Sequence, residues 1–331
     1  MASHAYPLLK GTAELYRHYA TKLDDGLYHI LASHCLEEFW CVDDAISNVA
    51  AIRSTVPLAI RAAEILDVDA ELRALRQTFM EKTTPYHMGD EPRAKALTGG
   101  TLADDVCAAG LLNIRDGSHN REDVWLTPLF PYEDWSLETQ NPKMDAIALR
   151  TVELATSMKA ILNGAKYGTV IRSPIAMARA GRGASLPEVL KSYYASFNPY
   201  VNGRSSFEGR TAESIEHLGI LTTTLQESLL QSVPPRPGEP EIVRVFPAWP
   251  RQWNASFRLS ARGSFLVSAA IDKGTVLWVE IESRLGEPCR LRNPWGGPCV
   301  VEEIGDTTNE LAGNILRFAT KQGAKYRIVR P

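Results

Sequence analysis

The stretch VPPRPGEP at Val233–Pro240 divides the sequence into two parts with different hydrophobic periods. Four prolines and one glycine in eight residues exclude a regular helix or strand here, because proline lacks a backbone N–H and fixes φ. Apolar residues recur every three to four positions before this stretch and every second position after it. We therefore predict a mainly helical domain over residues 1–232, a proline-rich linker over 233–240 and a β domain over 241–331.

Residues after the linker alternate between apolar and polar side chains, as in the strands of a half-buried sheet. Asp272-Lys273-Gly274 is a hairpin-turn signal between two of these strands. The last two strands, Ile315–Phe318 and Tyr326–Val329, are predicted to form a closing hairpin. The other predicted strands are Arg244–Phe246, Phe257–Ala261, Phe265–Ala269 and Val276–Ile281. No long helix fits this region, and the predicted fold is a β-sandwich.

The region before the linker carries helical patterns. The strongest is Ala45–Leu66, where Pro57 is predicted to kink or split the helix. Asp69 has the position of an N-cap for a helix over Glu71–Lys82. Further helices are predicted over Tyr6–Ala20, Met144–Leu162, Pro174–Ala180, Leu186–Phe197 and Ala212–Gln231. A helix that begins so close to the first residue predicts that upstream residues are missing, and this leaves the cellular compartment open.

Composition excludes several classes of protein. The chain has 331 residues, 36 Lys plus Arg against 39 Asp plus Glu, and a net charge of −3, which predicts no nucleic-acid or anionic-membrane partner. An apolar run long enough to span a membrane is absent from the sequence. The five cysteines form no CxxC pair and predict free thiols rather than a metal site. Nucleotide-binding loops are also missing, so no cofactor is predicted.

The segment Tyr28–Asp44 combines histidines, carboxylates and aromatic residues just before the strongest helix. A carboxylic acid such as Glu37 beside Trp40 would be partly desolvated, and desolvation favours the protonated form that a general acid requires. The alternative is that Glu37 and Glu38 are solvated loop carboxylates and that Asp44 only caps the helix.

Two further segments are candidate sites. WLTPLFPYEDW at Trp125–Trp135 has four aromatic residues, whose faces can stack on sugar rings; the alternative is a hydrophobic plug under a long loop. SSFEGRTAESIEHLG at Ser205–Gly219 offers Glu213 and Glu216 three positions apart, followed by His217. Here the alternative is a first helical turn enriched in glutamate, because the helix dipole favours negative charge.

Four segments resemble glycoside hydrolase family 95, one of the six-hairpin (α/α) toroid glycosidases. The most specific is IVRVFPAWPRQWNASFRLSARGSFLVSAAIDKG at Ile242–Gly274, which is similar to the run I-x-L-L-P-A-L-P-x-x-W…L-x-A-R-G-G-F-x-V that begins the family's C-terminal β-sandwich. The other three are YPLLKGTAELY at Tyr6–Tyr16, GLYHILASHCLEEFW at Gly26–Trp40 and IEHLGILTTTLQESLLQS at Ile215–Ser232. The resemblance implies an inverting, α-L-fucosidase-like hydrolase that acts on an oligo- or polysaccharide.

The resemblance also implies roles for particular residues. Glu37 falls on the family's general acid, with Glu38 one place away, and Glu216 falls on its general base. The chain departs from the family pattern at both positions, since Cys35-Leu36-Glu37 replaces Ser-Pro-Glu and the base is Glu instead of Asp. The Trp125–Trp135 segment replaces the family's HxHxSHL loop. The residues expected to bind substrate are His34, Trp40, Trp125, Phe130, Tyr132 and His217.

The implied layout is a partial toroid followed by the whole β-sandwich. The family's two asparagines that polarise the base lie upstream of the segment matched by Tyr6–Tyr16, so weak or no activity is expected from this chain alone. An incomplete ring would expose inner apolar surface and favour self-association. Two other readings remain: a non-catalytic carbohydrate-binding or structural remnant, and a toroid polysaccharide lyase that uses Tyr28 or His29.

Overall fold

A computed structural model describes residues 3–35, 39–92, 104–107, 124–139, 141–154, 172–196, 205–207, 212–214, 216–305 and 308–331. The chain forms two compact units. The first comprises Met1–Ser173 with Arg236–Glu239, and the second comprises Pro174–Pro235 with Pro240–Pro331.

The described part of the first unit contains four α-helices and two small hairpins. The helices are α1 (Ala5–Tyr19), α2 (Ile46–Leu66), α3 (Ala70–Glu81) and α4 (Pro142–Leu154). Strands β1 (Thr21–Lys22) and β2 (Tyr28–His29) pair antiparallel, and so do β3 (Ser33–Cys35) and β4 (Phe39–Val42). A 3-10 turn covers Val124–Leu126.

Helix α2 is the centre of a core shared with α1 and α3. Ile52, Val56 and Ala59 of α2 are buried in this core. They are joined by Ala13 of α1, Phe79 of α3 and Ile30, which follows β2. The predicted split at Pro57 is wrong, since α2 continues through this residue. Val56 and Ala59 on either side of Pro57 are fully buried, so tertiary packing holds both halves of the helix together.

The start of α3 corrects the role predicted for Asp69. This residue does occupy the N-cap position, but its backbone is left-handed (φ 53°) and its side chain makes no capping hydrogen bond. Its carboxylate instead accepts hydrogen bonds from Tyr6 Oη at 2.5 Å and Lys10 Nζ at 2.7 Å. Asp69 therefore ties the first turns of α1 to the start of α3.

Part of the stretch predicted as a linker packs against the first unit. Residues 236–239 form a turn closed by the Glu239 amide, which donates to the Arg236 carbonyl at 3.0 Å. Gly238 has φ +89°, and a Cβ at this position would lie 3.1 Å from the Pro57 carbonyl oxygen. Only glycine adopts this positive φ and allows this close approach without strain. The turn therefore packs closely against the middle of α2.

The described part of the second unit begins with three helices, α5 (Ser173–Arg179), α6 (Leu186–Ser196) and α7 (Glu216–Leu229). A short pair of strands, β5 (Ser205–Phe207) and β6 (Ala212–Ser214), precedes α7. The helix predicted over Ala212–Gln231 is thus shorter than expected, with a strand on each side. Strand β7 (Leu230–Val233) follows α7 directly and joins the sheet structure of the C-terminal region.

Two sheets make up the β-rich C-terminal region. The six-stranded sheet has the order β14-β13-β16-β11-β10-β9, and the four-stranded sheet has the order β15-β12-β8-β7. The strands are β8 (Ile242–Val245), β9 (Ala255–Ala261), β10 (Phe265–Asp272), β11 (Thr275–Ser283), β12 (Cys289–Arg292), β13 (Cys299–Glu303), β14 (Thr308–Leu311), β15 (Ile315–Phe318) and β16 (Lys325–Val329). Helices do not occur among residues 241–305 and 308–331.

The two sheets share one hydrophobic core. Alternate residues of the strands point inward, as the strictly alternating burial along β10 shows. The core combines residues of both sheets: Leu230, Val243, Val245, Phe265, Val267, Ala269, Val279, Ile281, Cys289, Leu291, Cys299, Val301, Leu316, Tyr326 and Ile328. This shared core explains the period of two that the sequence shows after the linker.

The closing hairpin predicted from the last two strands is wrong. Strand β15 pairs with β12 in the four-stranded sheet, whereas β16 lies between β11 and β13 in the six-stranded sheet. Leu316 of β15 and Ile328 of β16 reach the same core from different sheets. Because both strands present one apolar face, the sequence pattern does not distinguish a hairpin from a crossing between sheets.

Seven α-helices lie in the described ranges, and the arrangement of the helices as a partial ring stays a prediction. Over those same ranges, none of the helices is long and apolar enough to cross a membrane.

Candidate functional site

The β3–β4 hairpin frames the position predicted for the general acid. Ser33 pairs with Val42, and Cys35 pairs with Phe39. Glu37 and Glu38 fall between the two strands and lie outside the described residues. The acid assignment therefore stays a prediction, while the strands on both sides of it are placed.

His34 and Trp40, both expected to bind substrate, meet on this hairpin. Their rings pack edge to face, with centroids 5.6 Å apart and an interplanar angle of 74°. Trp40 is 37% exposed, so the hairpin presents an aromatic surface to solvent. Such a surface can stack on the apolar face of a sugar ring.

Tyr132 connects the aromatic segment Trp125–Trp135 with the same region. Burial raises the pKa of its phenol, the positive charge of Arg172 opposes this rise, and Cys35 adds to it. Tyr132 in turn adds to the effect of burial that raises the pKa of Tyr16 to about 12. Tyr132 therefore interacts electrostatically with Cys35 of β3 and with Tyr16 of α1.

The rest of the aromatic segment serves mainly as core. Leu126, Leu129 and Trp135 are at most 2% exposed, while Trp125 and Phe130 are half-buried. The hydrophobic plug expected as the alternative therefore describes much of this segment.

Asp44 is the centre of a buried network that sequence analysis missed. Its side chain does not cap α2. One carboxylate oxygen accepts the Ile30 amide at 2.9 Å, and the other lies 2.7 Å from His29 Nδ1 and 3.1 Å from His87 Nε2. Each histidine also meets a second carboxylate through its other nitrogen, His29 to Asp25 at 3.0 Å and His87 to Glu91 at 2.9 Å.

The electrostatics of this network favour the charged forms of Asp44 and His87. Burial acts to raise the pKa of Asp44, but hydrogen bonds from His87, His29 and the Ile30 amide outweigh it and lower the pKa. Burial likewise acts to lower the pKa of His87, but the hydrogen bond to Asp44 and the charge of Glu91 outweigh it and raise the pKa. Alternating carboxylates and imidazoles therefore connect β2, the start of α2 and the segment after α3.

Residues after α3 contribute a second polar group that sequence analysis also missed. Tyr86 Oη donates to Asp134 Oδ2 at 2.8 Å, and the Arg53 guanidinium lies 5.4 Å from the centre of the Tyr86 ring. Asp134 belongs to the segment Trp125–Trp135, which the sequence analysis singles out for its aromatic residues alone. The aspartate itself could have been singled out as a carboxylate flanked by aromatic residues.

Glu216, the residue predicted to be the base, is the first residue of α7 in the second unit, and its side chain is exposed. An acidic residue at this position is also favoured by the helix dipole. The side chain of His217 lies outside the described residues. The pairing of Glu216 with Glu37 stays a prediction.

The described residues contain no cluster of three or more His, Cys, Asp or Glu that could hold a metal ion. The carboxylates around Asp44 are instead engaged by histidines and backbone amides.

Residues 239–328 match a family model described as "Glycoside hydrolase family 95, C-terminal domain". The matched region runs from the turn before β8 into the last strand, β16, and so covers nearly all of the two-sheet region. No curated protein matches the chain. The predicted resemblance to family 95 is confirmed for this C-terminal portion, and the match indicates a relation to glycoside hydrolases.

Proposed function

We propose, from the family-95 C-terminal domain at residues 239–328, that this chain is part of a glycoside hydrolase acting on an oligo- or polysaccharide. The reaction is inverting and α-L-fucosidase-like. The observation that carries the proposal is the match itself. The exposed His34–Trp40 pair supports it, because it offers a sugar-binding surface on the two strands that flank Glu37 in the sequence.

In the proposed mechanism, Glu37 donates its proton to the glycosidic oxygen as the bond to the anomeric carbon breaks. Glu216 removes a proton from a water molecule that attacks the opposite face of that carbon. Such a reaction needs a carboxyl separation of roughly 6.5–9.5 Å to leave room for the water. Aromatic side chains, including Trp40, Trp125, Phe130 and Tyr132, would hold the sugar.

The finer description of the fold belongs to the same proposal. Residues 1–232 form part of an (α/α)6 toroid, and residues 241–331 form a β-sandwich. The single core shared by two sheets supports the sandwich. The incomplete ring would favour self-association, which sedimentation velocity at several protein concentrations would measure.

The test is hydrolysis of a panel of aryl α-L-fucosides and α-galactosides, with the product anomer identified by proton NMR. We expect slow release of a product with inverted configuration and its loss in Glu37→Gln and Glu216→Gln. Glu38→Gln is the matched control, since it removes the neighbouring charge and should retain activity. Loss of activity in Glu38→Gln alone would move the acid to Glu38, and activity unchanged in both Glu37→Gln and Glu216→Gln would refute the mechanism.

The exposure of Glu216 supports a second candidate function, carbohydrate binding without hydrolysis. A general base normally lies in a site from which bulk water is excluded, and an exposed glutamate at a helix start does not need a catalytic explanation. Binding of glycans without turnover, also in a form of the protein extended on its N-terminal side, would favour this candidate.

The lyase reading receives less support. Both ring nitrogens of His29 lie within 3.0 Å of carboxylate oxygens of Asp25 and Asp44, so neither is directed at a substrate. Loss of activity in Tyr28→Phe together with unchanged activity in Glu37→Gln would restore the lyase reading.

A further inference from the structure

The first unit contains a cavity of about 610 Å³. It is formed by the middle of α2, the end of α3, residues 85–88, the end of the aromatic segment, the start of α4 and the turn 236–239. Exposed polar residues, including Lys143 and Arg236, lie where the cavity meets solvent. Its size suits one or two sugar rings.

Aromatic rings form one wall of the cavity. Tyr86 and Trp135 both line it, with ring centroids 5.3 Å apart and an interplanar angle of 66°. Trp135 is 2% exposed, and its indole N–H has no hydrogen-bond partner among the described residues. A buried donor without a partner is unfavourable and rare in native proteins, so this N–H is suited to an acceptor on a ligand.

Cationic groups surround the same space. Arg53 donates through one terminal nitrogen to the Thr84 carbonyl at 3.3 Å, while its buried Nε–H finds no partner in the described parts of the chain. Together with Lys143 and Arg236, Arg53 gives the lining three positive charges against the carboxyls of Asp134 and Glu239.

Asp134 lies in the lining and accepts a hydrogen bond from Tyr86. Burial raises the pKa of its carboxyl, although the charge of Arg53 and the hydrogen bond from Tyr86 oppose the rise. The lining is therefore rich in donors and carries a net positive charge.

We propose that this cavity binds a sugar unit that carries a carboxylate, a hexuronate, with the carboxylate held by Arg53 and Arg236 and the ring against Tyr86 and Trp135. The choice of a sugar rests on the proposed function, and the choice of an acidic sugar rests on the charges and unpartnered donors of the cavity. The proposal identifies the class of glycan that the protein recognises.

The test is calorimetric titration of the whole chain with digalacturonate and with its methyl ester. The ester keeps both rings and removes the negative charges, so it isolates the contribution of the carboxylate. We expect the acid to bind at least about tenfold more tightly than the ester, which is the usual effect of one charge-assisted hydrogen bond.

The variant Arg236→Gln should weaken binding of the acid about tenfold and leave binding of the ester unchanged. Because Arg236 is exposed, the substitution should leave folding intact, which the circular dichroism spectrum checks. The control is Arg61→Gln, an exposed arginine of α2 outside the cavity, which removes the same charge and should have no effect.

Equal affinity for acid and ester, no binding of the acid at millimolar concentration, or full affinity in Arg236→Gln would each overturn the inference. These results leave the hydrolytic proposal intact if the aryl glycosides are still cleaved. Conversely, binding of the acid without any hydrolysis would support the cavity alone, since weak or no turnover is expected from this chain.

Discussion

Replacing Asp44 by asparagine is the most informative perturbation of the first unit. Asparagine keeps the shape of the side chain and can still accept the Ile30 amide, but it removes the negative charge that faces His29 and His87. The carboxylate is 2% exposed, so water cannot replace these interactions without opening the structure.

The expected loss in the free energy of unfolding follows from the hydrogen bonds of Asp44 to His29 and His87, which would no longer involve a negatively charged acceptor. Each bond to a charged group contributes about 1.5–3 kcal/mol, and the neutral side chain regains part of this because it is easier to bury. A net loss of about 3 kcal/mol in the free energy of unfolding is therefore expected near pH 5.5 for Asp44→Asn.

The loss should shrink as the pH rises. His87 has a raised pKa in the folded protein, so its contribution is complete below the unfolded value of about 6.5 and disappears as the pH passes through the folded pKa. A neutral His87 carries one N–H and cannot donate to both Asp44 and Glu91. Asp44, whose pKa is lowered, keeps its contribution throughout this range and loses it only below about pH 3.8.

Urea unfolding followed by tryptophan fluorescence at pH 5.5 and 8.5 provides the measurement, since the chain has seven tryptophans. The control is Asp43→Asn, which alters the neighbouring carboxylate that accepts the Ala32 amide at 2.9 Å. Asp43→Asn should lower the free energy of unfolding less than Asp44→Asn does, and its effect should change little with pH. An Asp44→Asn effect that is equal at both pH values, or larger at pH 8.5, would refute the proposed network electrostatics.

Two further predictions test packing in other parts of the chain. Gly183→Ala should lower the melting temperature, because the added Cβ would lie 2.6 Å from the carbonyl carbon and oxygen of Ala248. Gly219→Ala should instead raise the free energy of unfolding by about 0.5–1 kcal/mol, because Gly219 lies within a helix and the added Cβ meets nothing within 4 Å. Thiol titration with Ellman's reagent should detect Cys41 first and all five cysteines after unfolding, since the other four are buried; rapid reaction of more than one thiol in the folded protein would contradict the described burial.

The sequence predicted most elements of the fold because their periods are local properties. The helix of Ala45–Leu66 and the strands around Asp272-Lys273-Gly274 were found within one or two residues of their observed ends, apart from the three further residues of β10. Strands β12–β14 were missed, because they are short and separated by irregular segments. The sheet to which each strand belongs depends on contacts distant in sequence, and this is why the closing hairpin was predicted wrongly.

The candidate site was less predictable for a similar reason. The importance of Asp44 comes from His87, which lies 43 positions away in the sequence, and neither residue belongs to a local motif. The contact between His34 and Trp40 is predictable from the sequence, because both residues belong to one short segment rich in aromatic and ionisable side chains.

The position of β16 inside the six-stranded sheet has a consequence for the order in which the protein can be built. Among the described strands, β13 and β14 hydrogen-bond to the rest of that sheet through β16, which also contacts β11. During synthesis, the β9–β10–β11 meander and the β13–β14 hairpin emerge first as two separate pieces with unpaired edges. The sheet can close only when residues 325–329 have left the ribosome, so until then the β13–β14 hairpin is exposed to aggregation or to chaperones.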